Sequence, residues 1–207
     1  YSWGEVDRIS PEAPIPVMRV MREDQRLGGA GNVVMNLATL GAEVSVCGII
    51  GKDETGDIIN KLLAENKVDC SGVIISENYK SCLKHRMIAG QTHLLRMDID
   101  PDSNKDIPQN QLIEYLQKKV PKCDAVIVSD YGKGLLSSPV LKELALCGKK
   151  HGIPVIGDPK PTSDYSIYQD FTLIKPNRKE TEAVVGFSLN NRSDFLQAAG
   201  KLKEEVR

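Results

Sequence analysis

An α/β fold with a mostly parallel sheet is predicted by this 207-residue sequence, and two observations support the prediction. Short apolar runs typical of buried strands alternate with amphipathic stretches of helical length, which is the pattern of βαβ units. The stretch GGAGNVVMNLATLGAEVSVCGIIG at residues 28–51 shows a glycine turn, a helix, a closing glycine and an apolar strand in succession. The chain is long enough to bury the core of one such domain.

The predicted elements follow one another in a regular order. Strands are predicted at residues 44–50, 73–75, 125–129, 155–158 and 172–174. Helices are predicted from the glycine turn to just before Gly41, and at residues 55–66, 109–119, 139–150, 179–185 and 193–205. The apolar stripe of the first helix would consist of Val33, Val34, Leu37 and Leu40.

Two segments break this alternation. Residues 13–22 alternate apolar and polar side chains, as a half-exposed strand does. Residues 83–98 contain two short strands joined around Gly90. We therefore expect a small β-sheet lid beside the main domain, formed by segments at about residues 10–24 and 83–98.

The composition argues against several classes of partner. There are 27 basic and 28 acidic residues, so the chain lacks the basic excess of a general nucleic-acid or membrane-surface binder. No apolar run is long enough to span a bilayer, and no signal-peptide pattern opens the chain. The five cysteines are scattered and show no CxxC spacing, which favours buried free thiols in a reducing cytoplasm over disulfides or a metal site.

The glycine turn before the first helix is a candidate ligand-binding loop. Gly28 and Gly29 would leave backbone amides uncovered. Asn32 places a side-chain amide at the helix start, where it can cap the helix or bind a hydroxyl group. A tight turn without any ligand explains the same residues, so the turn alone does not decide between the two interpretations.

Further candidates follow the predicted strands, because ligands of open parallel sheets bind at the carboxyl ends of the strands. Asp130 follows the third strand and is suited either to bind sugar hydroxyls or to stabilise a turn or the next helix. Lys160 follows the fourth and can meet a phosphate or remain a solvated loop lysine. Asn177 and Glu180 follow the fifth, where they can form a capping box or orient a hydrated Mg²⁺ through Glu180.

Two basic residues stand out in the lid. Lys84 and Arg86 are separated by one residue of a predicted strand, so they share one face. If that face points at the edge of the main sheet, the two cations suit a phosphate or carboxylate group of a substrate. If it points outward, they are ordinary solvated charges.

The GGAGN turn, the β lid and the Asn-x-x-Glu spacing together resemble the PfkB, or ribokinase-like, carbohydrate kinase family. Four segments are similar to its heptose-phosphate kinase branch, which includes the kinase half of the bifunctional bacterial enzyme of ADP-heptose synthesis. These segments are WGEVDRISPEAPIPVMRV at 3–20, SDYGKG at 129–134, DPK at 158–160 and LIKPNRKETEAVVG at 173–186. The resemblance covers essentially the whole chain.

The resemblance implies transfer of the γ-phosphate of ATP, with Mg²⁺, to the C1 hydroxyl of D-glycero-D-manno-heptose 7-phosphate, in the synthesis of a lipopolysaccharide core precursor. It implies substrate binding by Gly28, Gly29, Asn32, Lys84, Arg86 and Asp130, and nucleotide or Mg²⁺ binding by Asn177, Glu180 and Lys160. Glu180 would reach the metal through water. The protein would be cytoplasmic and bacterial, without nucleic-acid or membrane partners. Exposed strand edges in the lid favour a homodimer joined through it.

The sequence departs from the family pattern in two places. It lacks the first strand that ends in Gly-Asp and the later Gly-Ala-Gly-Asp motif that carries the catalytic aspartate. We therefore expect a partial kinase domain, spanning residues 1–207, that is inactive alone and contains no catalytic residue. Two other functions stay open: a kinase of the same family for ribose, fructose or a hexose phosphate, and a non-catalytic sugar-binding or assembly module.

Overall fold

The computed structural model describes residues 1–101, 107–162 and 164–206. The chain divides into two compact units, Tyr1–Asp102 and Ser103–Arg207. Each unit combines strands and helices, in agreement with the predicted α/β class. Within the described residues, no helix is both long and apolar enough to cross a membrane.

The first unit carries two sheets. Its elements are β1 (Ser2–Ile9), β2 (Pro16–Glu23), α1 (Ala30–Thr39), β3 (Ser45–Gly51), α2 (Glu54–Glu65), β4 (Asp69–Ser76), β5 (Leu83–Ala89) and β6 (Thr92–Ile99). A four-stranded sheet has the order β2-β1-β5-β6, whereas β3 and β4 pair in parallel in a separate sheet. In the four-stranded sheet only β1 and β5 run parallel; the other two pairs are antiparallel.

The four-stranded sheet contains the segments that were predicted to lie outside the parallel sheet. Residues 16–23 form β2, and residues 83–98 form most of the β5–β6 hairpin, as expected. β1 was not predicted, because a glycine and several charged residues interrupt its apolar alternation. Gly4 in β1 has a structural reason: a Cβ there would overlap the carbonyl oxygen of Arg19 on β2.

Helix α1 begins and ends at glycines, as predicted. Gly29 takes a φ of +54° at the N-cap, and Gly41 takes a φ of +88° just after the last turn. Val34 is buried and packs in a core cluster with side chains of α2. The predicted apolar stripe is wrong at Leu40, which is 84% exposed. Leu40 is the C-cap residue, where helical periodicity no longer directs the side chain inward.

A polar junction links the end of β3 to the start of α2. Asp53 caps α2 by accepting a hydrogen bond from the Gly56 N–H at 2.7 Å, and its other oxygen accepts from the Ser81 N–H at 2.9 Å. The Ser81 hydroxyl in turn accepts from the Gly51 N–H at 2.9 Å. Asp53 therefore holds together a strand end, a helix start and the loop that leads to β5.

The second unit contains a parallel three-stranded sheet, β7-β8-β9. Its elements are α3 (Gln109–Lys119), β7 (Val126–Ser129), α4 (Ser138–His151), β8 (Val155–Asp158), β9 (Leu173–Ile174), α5 (Arg178–Val185) and α6 (Arg192–Glu205), with short 3-10 helices at Val120–Lys122 and Ser166–Tyr168. The three strands and four α-helices were predicted to within one or two residues, whereas the two 3-10 helices were not predicted. The predicted parallel sheet is thus present as two pieces, one in each unit.

The core of the second unit packs around α4 and the second 3-10 helix. Val140 and Leu141 of α4 are fully buried, as are Tyr165 and Tyr168. The rings of Tyr165 and Tyr168 meet edge to face at 5.7 Å, which is a favourable aromatic geometry. Two large tyrosines therefore lie inside the unit, with their hydroxyl groups away from water.

None of the five cysteines, all of which lie in the described part of the chain, forms a disulfide. Cys147 is buried, and burial raises its pKa, as expected for an unreactive internal thiol. Cys47, Cys70 and Cys123 are partly buried and Cys82 is exposed, so the prediction of buried thiols is confirmed for Cys147 and wrong for Cys82. It lies at the surface in the loop that leads into β5.

Candidate functional site

The candidate residues are divided between the two units. Gly28, Gly29, Asn32, Lys84 and Arg86 lie in the first unit. Asp130, Lys160, Asn177 and Glu180 lie in the second.

The glycine turn presents its residues at the surface. Gly28, Gly29 and Asn32 are all exposed. The N-cap of α1 is Gly29, without a side-chain cap, and Asn32 is the third residue of the helix. The capping role considered for Asn32 is therefore wrong, since the helix starts before it. Its amide is directed by the helix to the surface, where a hydroxyl group can reach it.

Lys84 and Arg86 do share one face of β5, as the alternation predicted. The strand register pairs Lys84 with Asp98 and Arg86 with Arg96 of β6. Lys84 forms an ion pair with Asp98 at 3.4 Å, and Arg96 reaches the same carboxylate at 2.8 Å. The Asp98 carboxylate thus pairs with both Lys84 and Arg96, so this face of β5 and β6 carries more positive than negative charge.

An aromatic stack lies on the same face of the four-stranded sheet. The rings of Tyr1 and Trp3 are stacked at 5.3 Å. The Arg22 guanidinium lies 4.1 Å from the centre of the Trp3 ring, and the Arg86 guanidinium lies 5.3 Å from that of Tyr1. These contacts were not predicted, because they depend on the register by which β2 and β5 pair with β1.

Asp130 follows β7 and is buried, with 7% of its surface exposed. One carboxylate oxygen accepts a hydrogen bond from the Gly132 N–H at 2.8 Å, which closes a turn. The other accepts from the Tyr168 hydroxyl at 2.8 Å. The turn interpretation of Asp130 is therefore confirmed, but the helix-capping version is wrong because Ser137, not Asp130, occupies the N-cap position of α4. Each oxygen retains a lone pair that a sugar hydroxyl can use.

Tyr168 connects two of the strand-end loops. Its hydroxyl donates to Asp130 after β7 and accepts from the Lys160 N–H after β8 at 3.1 Å. Burial and the neighbouring Asp130 carboxylate raise the pKa of Tyr168. The Lys160 side chain extends beside Gly132, where a Cβ would lie 3.7 Å from its Cδ atom. Asp130 and Lys160 are thus brought together by a residue that no sequence motif signals.

Asn177 and Glu180 form a complete capping box at the start of α5. The Asn177 side chain accepts from the Glu180 N–H at 3.0 Å, and the Glu180 carboxylate accepts from the Asn177 N–H at 2.7 Å. A third bond joins the Asn177 amide to the other Glu180 oxygen at 2.5 Å. The structural interpretation of this motif is confirmed, and it orients the Glu180 carboxylate firmly.

Acidic groups gather near the end of the β7-β8-β9 sheet. Burial and the carboxylates of Glu180, Glu205 and Asp158 raise the pKa of Tyr165 to about 12. Asp158 forms an ion pair with Lys175 at 3.0 Å. This edge of the sheet thus carries both carboxylates and an ammonium group. The ammonium group suits a nucleotide phosphate, and the carboxylates suit the cation that accompanies it.

The fit to Mg²⁺ follows from the donor types. In the described part of the chain, no three His, Cys, Asp or Glu side chains are grouped closely enough to enclose a metal ion. Mg²⁺ keeps most of its water ligands and needs few protein oxygens. A single oriented carboxylate such as Glu180 therefore suits contact through water.

The family model of the pfkB family carbohydrate kinases matches residues 2–207. The chain belongs to this family, and the resemblance that the motifs predicted is confirmed. Its relatives include the bifunctional protein HldE of Desulfatibacillum aliphaticivorans, with 42% identity, and that of Campylobacter curvus, with 40% identity. These alignments cover 99% and 100% of this chain but only 42% and 44% of the relatives. The chain thus spans less than half of their length.

Solved structures support the ribokinase-like fold. Phosphofructokinase-2 from Escherichia coli in complex with fructose-6-phosphate matches with a TM-score of 0.74 and 21% identity, over 99% of this chain and 67% of that chain. Arabidopsis thaliana ribokinase complexed with ribose and ATP matches with a TM-score of 0.73 and 17% identity, over 98% of this chain and 64% of that chain. At these identities the likeness shows the fold alone.

Proposed function

We propose that the gene product containing this chain transfers the γ-phosphate of ATP to the C1 hydroxyl of D-glycero-D-manno-heptose 7-phosphate, in the synthesis of ADP-heptose. The observation that carries the proposal is 42% identity to an HldE protein over 207 residues, which include every segment that resembles the heptose-phosphate kinase branch. The excess positive charge around Lys84 and Arg86 adds support, because a phosphorylated sugar needs cationic groups at its phosphate.

The residues of the first unit would bind the sugar. Gly28 and Gly29 present exposed backbone at the start of α1, and Asn32 offers an amide that can both donate to and accept from hydroxyl groups. Lys84 and Arg86 lie on the cationic face of β5 and would meet the distal phosphate. Asp130 of the second unit would accept from a further hydroxyl.

The residues of the second unit would act on the nucleotide side. Glu180, held by the capping box, would accept from water bound to Mg²⁺, and Asn177 and Lys160 would lie toward the phosphates. When bound, Mg²⁺ neutralises charge on the phosphoryl group that is transferred. The contribution of the chain itself is then mainly positioning and charge complementarity.

The proton acceptor for the sugar hydroxyl is not assigned to any residue. The 207 residues contain no Gly-Ala-Gly-Asp run, which carries the catalytic aspartate in the family. We therefore expect these residues by themselves to bind ligands without turnover. A cytoplasmic location is part of the proposal, since the substrates and ATP are cytoplasmic metabolites and the five cysteines form no disulfide among the described residues.

A homodimer joined through the four-stranded sheet is also proposed. Leu83, Leu95, Met97 and Ile99 share the face of β5–β6 opposite to Lys84, by the strand register. Each of these four residues is between 37% and 52% exposed. An apolar sheet face of this kind favours burial against a second copy of the chain.

The test measures ADP release from Mg-ATP by the full-length gene product. Four acceptors are compared: heptose 7-phosphate, fructose 6-phosphate, ribose and fructose. Turnover with the heptose phosphate alone is the expected result. Preference for another sugar would keep the family assignment and refute the substrate. Absence of turnover with all four would support a non-catalytic sugar-binding module.

A further inference from the structure

We propose that Tyr168 is a positioning residue that couples the binding of the sugar to the binding of the nucleotide. Its hydroxyl group joins the main chain of Lys160, on the proposed nucleotide side, to the carboxylate of Asp130, on the proposed sugar side. The identity of the two ligands rests on the proposed function. The inference goes beyond that function, because it makes the affinity for one ligand depend on the other through a residue that touches neither.

The Tyr168 ring is held firmly in the core of the second unit. The residue is fully buried. Its ring meets those of Tyr165 and Phe171 edge to face, each with a centroid distance of 5.7 Å. A ring that is close-packed against two others has little room to rotate or shift. The position of the hydroxyl oxygen is therefore fixed by packing before either ligand binds.

The chemistry of the three groups fixes the direction of both hydrogen bonds. The Lys160 N–H can only donate, so the Tyr168 hydroxyl oxygen accepts from it at 3.1 Å. The single hydroxyl proton is then donated to Oδ2 of Asp130 at 2.8 Å. In a buried setting, hydrogen bonds that follow one another through a hydroxyl group strengthen each other. A change at the Lys160 N–H therefore alters the bond that Asp130 receives.

The Asp130 carboxylate depends on this bond for its orientation. The residue is buried, and its other oxygen accepts from the Gly132 N–H at 2.8 Å. Without the Tyr168 hydroxyl, Oδ2 would lose the donor that it has here, and a buried polar atom that loses its partner is costly. The carboxylate would then turn away and would no longer present the acceptor proposed for a sugar hydroxyl.

A second link between the same loops does not replace Tyr168. The Asp130 N–H donates to the carbonyl oxygen of Asp158 at 2.9 Å, which joins the ends of β7 and β8 through their main chains. This bond fixes the backbone of Asp130 but not the torsions of its side chain. The Tyr168 hydroxyl is thus the group that fixes the carboxylate relative to the segment that contains Lys160.

Lys160 brings the nucleotide side close to the same turn. Its side chain passes beside Gly132, where a Cβ would lie 3.7 Å from its Cδ atom. A phosphate bound by the Lys160 ammonium group would restrain this segment and, through the Lys160 N–H, the Tyr168 hydroxyl. The sugar would then meet an Asp130 carboxylate that is already oriented, and such preorganisation raises affinity. Because binding free energies are linked, the sugar would raise the affinity for the nucleotide by the same factor.

The test compares sugar binding with and without a nucleotide. The full-length gene product is titrated calorimetrically with heptose 7-phosphate in the presence of Mg²⁺, with and without saturating AMP-PNP, an ATP analogue that does not transfer its phosphate. In the wild type, we expect the analogue to lower the Kd for the sugar phosphate at least about fivefold. In Tyr168→Phe, we expect this ratio of the two Kd values to fall below about twofold.

Tyr165→Phe is the matched control. Tyr165 is also fully buried in the same segment, but its hydroxyl has no hydrogen-bond partner among the described residues. The variant is expected to keep the wild-type ratio. Loss of folded protein lowers the number of binding sites but not the ratio of two Kd values measured on one variant. A change in the ratio therefore separates coupling from destabilisation.

The inference is refuted by a wild-type protein that binds no heptose 7-phosphate or whose Kd the analogue leaves unchanged. It is also refuted by a wild-type ratio in Tyr168→Phe, or by an equal loss of the ratio in Tyr165→Phe. Turnover of heptose 7-phosphate together with a wild-type ratio in Tyr168→Phe refutes the coupling and leaves the proposed function intact. Coupled binding that depends on Tyr168, without any ADP release, refutes the proposed function and leaves the inference standing.

Discussion

Tyr168 shows at the residue scale how one buried hydroxyl connects two loops of the candidate site. It donates to Asp130 and accepts from the Lys160 N–H, and the residue is fully buried. Both partners belong to segments that follow strands of the three-stranded sheet. The position of the Asp130 carboxylate therefore depends on a residue 38 positions away in sequence.

Replacement of Tyr168 by phenylalanine removes both hydrogen bonds while keeping the ring. We expect Tyr168→Phe to lower the free energy of unfolding by about 1–3 kcal/mol, because Asp130 and Lys160 lose a partner in a buried setting. Urea denaturation of the full-length gene product measures the change. Tyr131→Phe is the matched control, since Tyr131 is 55% exposed, and it is expected to be neutral. Equal stability of the two variants would contradict the structural role of the Tyr168 hydroxyl.

Asp53 predicts a dependence of stability on pH. Burial would raise its pKa, but hydrogen bonds from Ser81 and Gly56 outweigh burial and bring the pKa below the ordinary value of 3.8. A carboxyl group whose pKa is lowered on folding stabilises the fold above its unfolded pKa, and this contribution is lost as the pH falls through the folded pKa. The stabilisation should therefore be complete at neutral pH and should decline below about pH 4.

The variant Asp53→Asn is expected to destabilise the protein by about 1–2 kcal/mol at pH 7, because the amide cannot accept from both N–H groups. The difference from the wild type should shrink as the pH falls below about 4 and approaches the lowered pKa of folded Asp53. Thermal unfolding between pH 3 and 7 measures it. Asp57→Asn, which removes an acid from the same first turn of α2, is the control and should show a smaller effect at every pH. A difference that is constant with pH would refute the assignment to ionised Asp53.

At the scale of elements, α5 and α6 begin with the same kind of capping box. Asn177 and Glu180 start α5, and Asn191 and Asp194 start α6. Only the first box follows a strand of the parallel sheet directly. The two helices therefore allow the structural and the proposed magnesium role of Glu180 to be separated within one protein.

Glu180→Gln keeps an oxygen that accepts from the Asn177 N–H but removes the charge. We expect kcat with Mg-ATP to fall about 10–100-fold, as is typical when a group that supports a metal is changed. The Mg²⁺ concentration needed for a half-maximal rate is expected to rise as well. Asp194→Asn, the equivalent change in the box of α6, should leave both quantities unaltered. Equal effects of the two variants on kcat would indicate that Glu180 acts through helix stability alone.

At the scale of the whole molecule, the apolar face of the four-stranded sheet bears on assembly. Leu95 is 52% exposed on this face. We expect Leu95→Asp to convert a dimer of the full-length gene product to monomer, because a charge in the centre of an apolar interface remains without a partner. Sedimentation over a wide concentration range measures this. Leu196→Asp on α6, at a site 66% exposed, is the control. A wild-type protein that is monomeric throughout would refute the proposed interface.

Local sequence determined much of this protein. The order of strands and helices, the glycine ends of α1 and the capping box of α5 were all predictable, because each depends on residues within a few positions of one another. The family was also determined by sequence, because its motifs occur in order along the chain. β1 was the main omission, since its alternation is weak and its partners are β2 and β5.

Only the tertiary structure decided which candidate residues have partners. Lys84 and Arg86 look equivalent in the sequence, yet one faces Asp98 and the other faces Arg96 and the Tyr1 ring. Asp130 looks like a free surface acceptor, yet it is buried against Tyr168. The physical reason is the same in both cases. Strand register and burial bring together groups that are far apart in the chain, and these contacts decide which charges and hydrogen-bonding groups remain available to a ligand.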